Sequence, residues 1–314
     1  MKAWQFVETN EPLVLNEVPD PVPGSGEVVV DVRACGLCHS DITYMTNPGT
    51  KANMPYTPMT LGHETAGLIS AIGEGVTDWQ VGDRVGVCPS GTGPIPGFFA
   101  PGGFAGKQLV HADDLARVPE GLDIALGAVA TDAGMTSYHA MVVRGGAKEG
   151  MKVGVIGLGG LGQIGARAAV LKGAEVHVAE PKAEVRELAL GLGVAGTVAE
   201  AAEWKGQNFD LVVDYAGFNT AAAAIDAIRP GGTVVTVGIG AREMTIPSIA
   251  LLRNKNLIGS MGGTVADIEE LYQLMLDGSI APTYEEIGFN QIPDGLDRLA
   301  KGQVTGRLVA RFGD

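Results

Sequence analysis

Val153-Gly154-Val155-Ile156, followed at once by Gly157-Leu158-Gly159-Gly160-Leu161-Gly162, restricts the fold of this chain more than any other stretch. The four residues before Gly157 read as a short buried strand. Leu161 to Leu171 has helical periodicity, and Lys172-Gly173 ends it. Glu175-Val176-His177-Val178-Ala179 reads as the next strand and leads into Glu180. The unit is βαβ, with a G-x-G-x-x-G turn at its first corner. In such a turn Gly157 permits the tight bend, Gly159 lets a phosphate approach the backbone, and Gly162 lets helix and strand pack closely. The free N–H groups of the helix N-terminus then face a pyrophosphate. Glu180, about 20 residues on, is an acid where a ribose 2′-OH would lie. The stretch predicts a dinucleotide site. It favours NAD over NADP, since a 2′-phosphate would meet the Glu180 carboxylate, although Lys182 pulls the other way. A Gly-rich turn in an ordinary α/β domain is the plain alternative in a chain with 47 glycines. The strand before the turn, the helix after it and the acid beyond weigh against that alternative.

Length and charge narrow the class. A chain of 314 residues suits two domains of ordinary size. Net charge is −14 with no Lys/Arg block, which argues against nucleic-acid partners and anionic membranes. Three cysteines give no disulfide framework and point to a reducing compartment, the cytoplasm. Met1-Lys2-Ala3-Trp4-Gln5 has no apolar signal-peptide core, and no apolar run approaches the ~18 residues of a membrane span.

Outside the βαβ unit two textures alternate. Phe6-Val7, Leu13 to Leu15, Glu27 to Val32, Leu68 to Gly73, Val81 to Val85 and Gln108 to His111 read as short strands among Gly and Pro turns, the mark of a small barrel or sandwich. Gly86 to Gly106 reads as a Gly/Pro-rich loop. From Asp123 the signal turns helical, Ile124 to Ala130 and Ala133 to Met141. Beyond Glu180, helices at Ala183 to Leu192 and Thr220 to Ile228 alternate with strands at Phe209 to Asp214 and Thr233 to Val237, the latter after a Pro230-Gly231-Gly232 turn. That alternation predicts a parallel, doubly wound sheet. Leu257 to Gly259 closes it. A helix at Asp267 to Asp277 and a strand at Arg307 to Phe312 follow, so β-rich sequence flanks an inserted α/β region.

A second constellation carries chemistry. Cys35-Gly36-Leu37-Cys38-His39-Ser40-Asp41 follows a strand, Leu61-Gly62-His63-Glu64 comes later, and Asp132 later still. A thiolate, an imidazole and a carboxylate suit tetrahedral Zn²⁺, and three protein ligands leave one position open for chemistry. The same residues admit plainer readings. Cys35 to His39 also spells the c-type haem attachment pattern and contains a thioredoxin-like C-x-x-C. Cys35 reads as a small buried residue, and Cys88 as a packing residue. Asp132 could cap a helix beginning near Ala133. His111, His139 and His177 read as structural. Phe98 and Phe99 fit either a pocket wall or loop packing.

Taken in order, Cys38-His39-Ser40-Asp41, Gly62-His63-Glu64 with Gly67, Gly82-Asp83-Arg84-Val85 and the dinucleotide turn resemble the zinc-dependent medium-chain alcohol dehydrogenase family over essentially the whole chain. The resemblance implies an α/β protein with a GroES-like β-rich catalytic domain, 1–133 and 259–314, interrupted by a Rossmann doubly wound parallel-sheet domain, 134–258. It implies catalysis in the cleft between them and a homodimer or homotetramer. By this match Cys38, His63 and Asp132 are the zinc ligands. Glu64 is the carboxylate beside the metal, and Asp41 supports a ligand. Ser40 takes the substrate alcohol proton. His39 and Arg307 lie where the family contacts the pyrophosphate. Gly157, Gly159, Gly160, Leu161, Gly162, Glu180, Lys182 and Val237 fall to the cofactor site. The chain departs from the family in three ways. Asp132 stands where Cys is usual as third ligand, as in some members. Gly91 to Gly103 replaces the four-Cys structural-zinc lobe, so one catalytic zinc and no structural zinc are expected. Thr43 stands where a proton-exit His is common. The expected activity is NAD-linked interconversion of alcohols with ketones or aldehydes, secondary or aryl substrates being favoured by the small Ser40. The alternatives are a zinc-free NADPH-dependent quinone or enone reductase and a non-catalytic NAD(P)-binding structural protein.

Overall fold

The computed structural model describes residues 1–241 and 243–313. Arg242 and Asp314, which fall within the expected Rossmann and GroES-like spans, lie outside the described residues. The first segment of chain carries β1 (Lys2–Phe6), β2 (Val14–Glu17), β3 (Glu27–Leu37), α1 (His39–Thr46), α2 (Pro48–Lys51), β4 (Met59–Thr60), β5 (Glu64–Ile72), β6 (Arg84–Val87), β7 (Lys107–His111), β8 (Leu115–Arg117) and α3 (Ile124–Val129). The middle carries α4 (Met135–Tyr138), β9 (Lys152–Ile156), α5 (Gly162–Leu171), β10 (Glu175–Ala179), α6 (Ala183–Gly191), β11 (Gly196–Val198), β12 (Phe209–Asp214), α7 (Ala221–Ala227), β13 (Ile228–Thr236), α8 (Ser248–Leu251) and β14 (Asn256–Gly259). The last segment carries α9 (Val265–Leu276), β15 (Tyr284–Gly288), α10 (Ile292–Ala300) and β16 (Arg307–Arg311). Two compact units result. One comprises Met1–Ala133, Thr264–Gly278 and Thr283–Asp314, the other Gly134–Gly263 and Ser279–Pro282.

The second unit is a six-stranded parallel sheet in the order β11-β10-β9-β12-β13-β14. Sequence order reverses beside β9, the switch point of a doubly wound sheet. Both faces are covered, which is why its strands read as apolar runs instead of alternating. Val153, Val155, Leu211 and Val213 pack into one core cluster, while Ile156, Val212 and Val234 pack into another with the buried Trp204. One detail differs from expectation. Pro230-Gly231-Gly232 lies inside β13, where pairing jumps from Phe209 opposite Ile228 to Leu211 opposite Thr233. The turn is a bulge within the strand.

The first unit is built on the sheet β15-β16-β3-β5-β6-β8, with β7 also pairing β3, and on a small sheet β2-β1-β4. Register in the larger sheet positions the chemistry. Gly36 pairs with Glu64 across β3 and β5, and Leu37 pairs with Leu308 across β3 and β16. The end of β3, the start of β5 and the start of β16 therefore meet at one end of the strands, in the middle of the sheet. Helix α10 went unpredicted because Pro293 and Gly295 obscure its pattern, yet Ile292, Leu296 and Leu299 are buried at helical spacing. Proline in a first turn is compatible with a helix start.

Candidate active site

Helix α1 begins directly from β3, and Cys38 is its N-cap. The Cys38 Sγ accepts from the Ser40 N–H at 3.5 Å, while the Asp41 Oδ2 accepts from the Cys38 N–H at 3.1 Å. This reciprocal cap satisfies two otherwise orphaned donors. It also explains the local order of the sequence: the residue that caps the helix is the thiol, and the acid three places on fixes it. The other Asp41 oxygen, Oδ1, accepts from the Gly62 N–H at 3.3 Å and lies 3.3 Å from His63 Nδ1. Asp41 thus ties Cys38 to the segment that carries His63, and it is fully buried.

His63 Nε2 lies 3.4 Å from Asp132 Oδ2, and the Cys38 thiol lies 3.8 Å from the same oxygen. One ligand atom from each of Cys38, His63, Glu64 and Asp132 falls within 4.8 Å of the others. These spacings fit a metal. Bonds of about 2.0 Å to N or O and about 2.3 Å to S, at tetrahedral angles, set ligand atoms about 3.3–3.6 Å apart. His63 presents Nε2 to the cluster while Nδ1 faces a carboxylate, the usual disposition of a metal-binding imidazole. Zinc therefore fits the donor set. Among the described residues this is the one such cluster.

Glu64 is held differently. Its carboxylate is buried, paired with Arg307, and its Oε2 has no hydrogen-bond partner. Gly36 makes room, since a Cβ there would overlap Glu64 Oε2. Arg307 also donates to the Leu37 carbonyl at 3.0 Å and is itself buried. Burial lifts the Glu64 carboxyl, Arg307 pulls it back and the Asp132 charge lifts it again, to about 7. At His63 burial opposes the charged form, but Asp41, Asp132 and Cys38 outweigh it and raise the imidazole well above its usual range without metal. A metal replaces that proton as the positive partner of the same groups.

The structure corrects the capping alternative for Asp132. Asp132 lies within a π-helical stretch, Ala130–Gly134, with α3 before it and α4 after it. The N-cap of α4 is Gly134, whose backbone is already helical and makes no side-chain cap bond. Asp132 has no free helix start to cap. π-Helical turns often re-aim a functional side chain, and here the carboxylate reaches Cys38 and His63. Of the remaining expected residues, Ser40 Oγ lies 3.6 Å from the Cys38 thiol. The Thr43 hydroxyl is bound to the His39 carbonyl one helical turn back at 3.0 Å. His39 is exposed at the start of α1. Arg307, expected at the pyrophosphate, pairs with Glu64 and donates to the Leu37 carbonyl.

The dinucleotide turn is assembled in the second unit. Gly157 has φ +82°, and its N–H donates to the Ala179 carbonyl at 2.9 Å. A Cβ on Gly162 would overlap the Gly157 carbonyl, whereas a Cβ on Gly159 would meet nothing within 4 Å. The first and third glycines are required by packing, and the second faces open space above the helix start. Gly160 follows it, and the Leu161 carbonyl accepts from the Ser137 hydroxyl at 2.6 Å. Glu180 is buried. Its Oε2 accepts from the Leu158 N–H at 2.9 Å and its Oε1 from the Lys182 N–H at 3.1 Å. The carboxylate is thus locked to the turn itself. Val237 follows β13, its N–H bound to the Asp214 carbonyl at 2.9 Å.

Of two aromatic residues close to the donors, Tyr44 was not assigned from sequence and Phe98 was open between a pocket wall and loop packing. The Tyr44 ring stacks on Phe98 with centroids 4.0 Å apart, and Phe98 lies 4.8 Å from the His63 ring. That a distant loop would bring Phe98 to Tyr44 was not readable from the chain.

Comparison with known proteins agrees with this fold. Residues 24–120 match the alcohol dehydrogenase GroES-like domain family, and residues 160–277 match the zinc-binding dehydrogenase family. An alcohol dehydrogenase of Geobacillus stearothermophilus is 33% identical, the match covering 99% of each chain. The probable cinnamyl alcohol dehydrogenase 3 of Oryza sativa is 30% identical over 93% of this chain and 87% of its own. Among solved structures, the acetophenone reductase of Geotrichum candidum in complex with NAD is 28% identical and superposes with a TM-score of 0.89 over 99% of this chain and 97% of its own. The alcohol dehydrogenase of Aeropyrum pernix is 27% identical, with a TM-score of 0.90 over 99% of this chain and 100% of its own. A buried thiol–imidazole–carboxylate cluster, a glycine turn on a doubly wound sheet and full-length similarity lead to one assignment: this chain belongs to the zinc-dependent medium-chain alcohol dehydrogenase family.

Proposed function

We propose that the protein interconverts alcohols with ketones or aldehydes, using one catalytic zinc held by Cys38, His63 and Asp132 and a nicotinamide dinucleotide, NAD in preference to NADP. The observation that carries this reading is the gathering of donor atoms within 4.8 Å of one another, with His63 Nε2 and the Cys38 thiol 3.4 and 3.8 Å from the same Asp132 oxygen. Zinc supplies Lewis-acid polarisation of the substrate oxygen, and the nicotinamide supplies or accepts the hydride. The protein's own contribution is positional. Asp41 Oδ1 faces His63 Nδ1 at 3.3 Å, which leaves Nε2 directed at the cluster. Ser40, whose Oγ lies 3.6 Å from the Cys38 thiol, takes the proton of the substrate hydroxyl in oxidation and returns it in reduction. Thr43, bound to the His39 carbonyl, has no basic group, so onward proton transfer runs through solvent or a ribose hydroxyl. Glu64, with its unpartnered Oε2, is held ready to approach the metal by Arg307.

On the cofactor side, Gly157, Gly159, Gly160, Leu161 and Gly162 receive the pyrophosphate at the start of α5. Glu180 accepts from the adenosine ribose, with Lys182 beside it. Val237 borders the same sheet edge, and His39 and Arg307 are the candidate phosphate contacts of the first unit. The Tyr44 and Phe98 rings beside His63 favour aryl substrates, in keeping with relatives named for cinnamyl alcohol and acetophenone. A zinc-free quinone or enone reductase would leave the buried donor set without a task. A homodimer or homotetramer and a cytoplasmic location complete the reading. No described helix is long and apolar enough to cross a membrane.

Zinc content and NAD-linked oxidation of a panel of primary, secondary and aryl alcohols test the proposal together. The expected result is one zinc per chain with turnover that a chelator abolishes. Purified protein that carries no zinc after reconstitution, or that carries zinc and oxidises no alcohol with NAD or NADP, overturns it.

A further inference from the structure

We propose that Phe98 is a positioning residue for His63, and that the loop from Ile95 to Phe104 is the clamp that keeps the zinc-binding geometry assembled. The inference rests on the zinc reading above and adds to it a role for a loop that carries no ligand. Phe98 is only 7% exposed although it sits in a Gly/Pro-rich loop. Its ring is stacked on Tyr44 of α1 at 4.0 Å with an interplanar angle of 17°. It approaches the His63 ring at 4.8 Å and 42°. Phe98 therefore touches both arms of the site, the helix that starts at Cys38 and the imidazole itself.

The loop is seated by its backbone. Gly102 donates to the Thr60 carbonyl at 2.9 Å, Phe104 to the Leu61 carbonyl at 2.9 Å, and Gly103 to the Gly62 carbonyl at 2.7 Å. Those three acceptors are the residues immediately before His63. The approach is so close that a Cβ on Gly102 would overlap the Gly62 carbonyl. Within the loop, Gly97 donates to the Ala100 carbonyl at 2.7 Å and Phe99 to the Ile95 carbonyl at 2.9 Å, which closes a tight turn with Phe98 at its tip. The loop thus grips the strand entry that carries His63 and places one aromatic ring against the imidazole.

Asp41 alone does not fix His63. It lies 3.3 Å from Nδ1, but that nitrogen has no hydrogen bond of good geometry. An imidazole held at one nitrogen can still tilt about that contact. Packing of the Phe98 ring removes the remaining freedom, and preorganised ligands hold a metal more tightly. The neighbouring Phe99 is 39% exposed and stacks on no ring among the described residues, so it serves as a control in the same loop.

The test is the rate at which zinc-loaded protein releases its metal to a chromophoric chelator such as pyridylazoresorcinol, a readout independent of turnover. Phe98→Ala is expected to release zinc about tenfold faster, within the range seen when groups supporting a ligand are removed. Phe98→Tyr keeps the ring and is expected to release at the wild-type rate, as is Phe99→Ala. Phe98→Leu keeps the apolar volume without the ring and guards against a folding defect in the alanine variant; faster release from a Leu variant with wild-type circular dichroism supports the inference. Wild-type release rates in both Phe98→Ala and Phe98→Leu overturn it, as does equal acceleration by Phe99→Ala. Wild-type protein that takes up no zinc overturns the zinc reading and this inference with it, whereas zinc-loaded wild type with unaltered variants overturns this inference alone.

Discussion

The dinucleotide turn and the donor cluster differ in how they are encoded. The turn is one run of sequence. Gly157 to Gly162 join the consecutive elements β9 and α5, Glu180 directly follows β10, and Glu180 closes back onto the Leu158 N–H. The cluster draws Cys38 from the start of α1, His63 from the entry to β5 and Asp132 from a π-helical stretch, and the register of β3 against β5 brings the first two together. The first site needs local geometry and one sheet. The second exists only once distant strands have paired. A substitution in the turn should therefore act on cofactor or on local stability, while one in the cluster should act on the metal and leave the turn alone.

The largest effect expected along that division is at Cys38. Cys38→Ser should remove zinc and lower kcat by about 10³-fold or more, since a bound metal would lower the barrier by several kcal/mol. NADH binding, followed by fluorescence, should be unchanged. A variant that lost NADH affinity as well would break the division. Asp132→Ala should likewise lower zinc occupancy, and full occupancy would remove Asp132 from the ligand set. Asp41→Ala comes next. It removes the carboxylate that faces His63 and caps α1, so zinc affinity should fall about 10–100-fold, measured by competition with a chelator of known affinity. Unaltered affinity would mean that the cap and not the imidazole is what Asp41 serves.

Within the turn, two glycines should separate stability from binding. Gly162→Ala forces a methyl against the Gly157 carbonyl and should lower unfolding stability by about 1–3 kcal/mol, read by denaturant titration. Gly159→Ala meets nothing in the protein and should leave stability within about 0.5 kcal/mol while weakening NAD. If both variants lost stability equally, the open space at Gly159 would not be a cofactor site. The smallest expected effect is at Glu180. Glu180→Gln retains an acceptor for the Leu158 N–H but loses the charge, and the ratio of NAD to NADP affinities should fall about tenfold, the worth of one charge-assisted hydrogen bond. An unchanged ratio would count against Glu180 as the determinant of cofactor choice.

Much of the second unit was legible because its signals are short-range. Phe209 to Asp214 and Ala183 onward announce themselves through apolar runs and helical spacing, and both faces of the sheet are buried, so no strand is ambiguous about its side. In the first unit, α10 was hidden by Pro293 and Gly295, although Gly295 is what its packing needs: a Cβ there would crowd Ile287, Leu37 and Leu308. Arg307 shows the same limit. Its chemistry suggested a phosphate contact, but the pairing with Glu64 that register across β3 and β16 gives it was not foreseen.

By itself, then, the sequence determined the βαβ unit with its glycine turn and the alternation that winds the parallel sheet, because both rest on contacts a few residues apart, and it offered Cys38, His63 and Asp132 as candidate donors by their chemistry. Tertiary structure decided the rest. It put the Asp132 carboxylate beside Cys38 and His63 through a π-helical turn, locked Glu180 against Leu158, buried Arg307 on Glu64 and brought Phe98 to the His63 ring. Those outcomes depend on strand register and loop closure, which follow from the packing of the whole unit and leave no period or spacing in the chain to read.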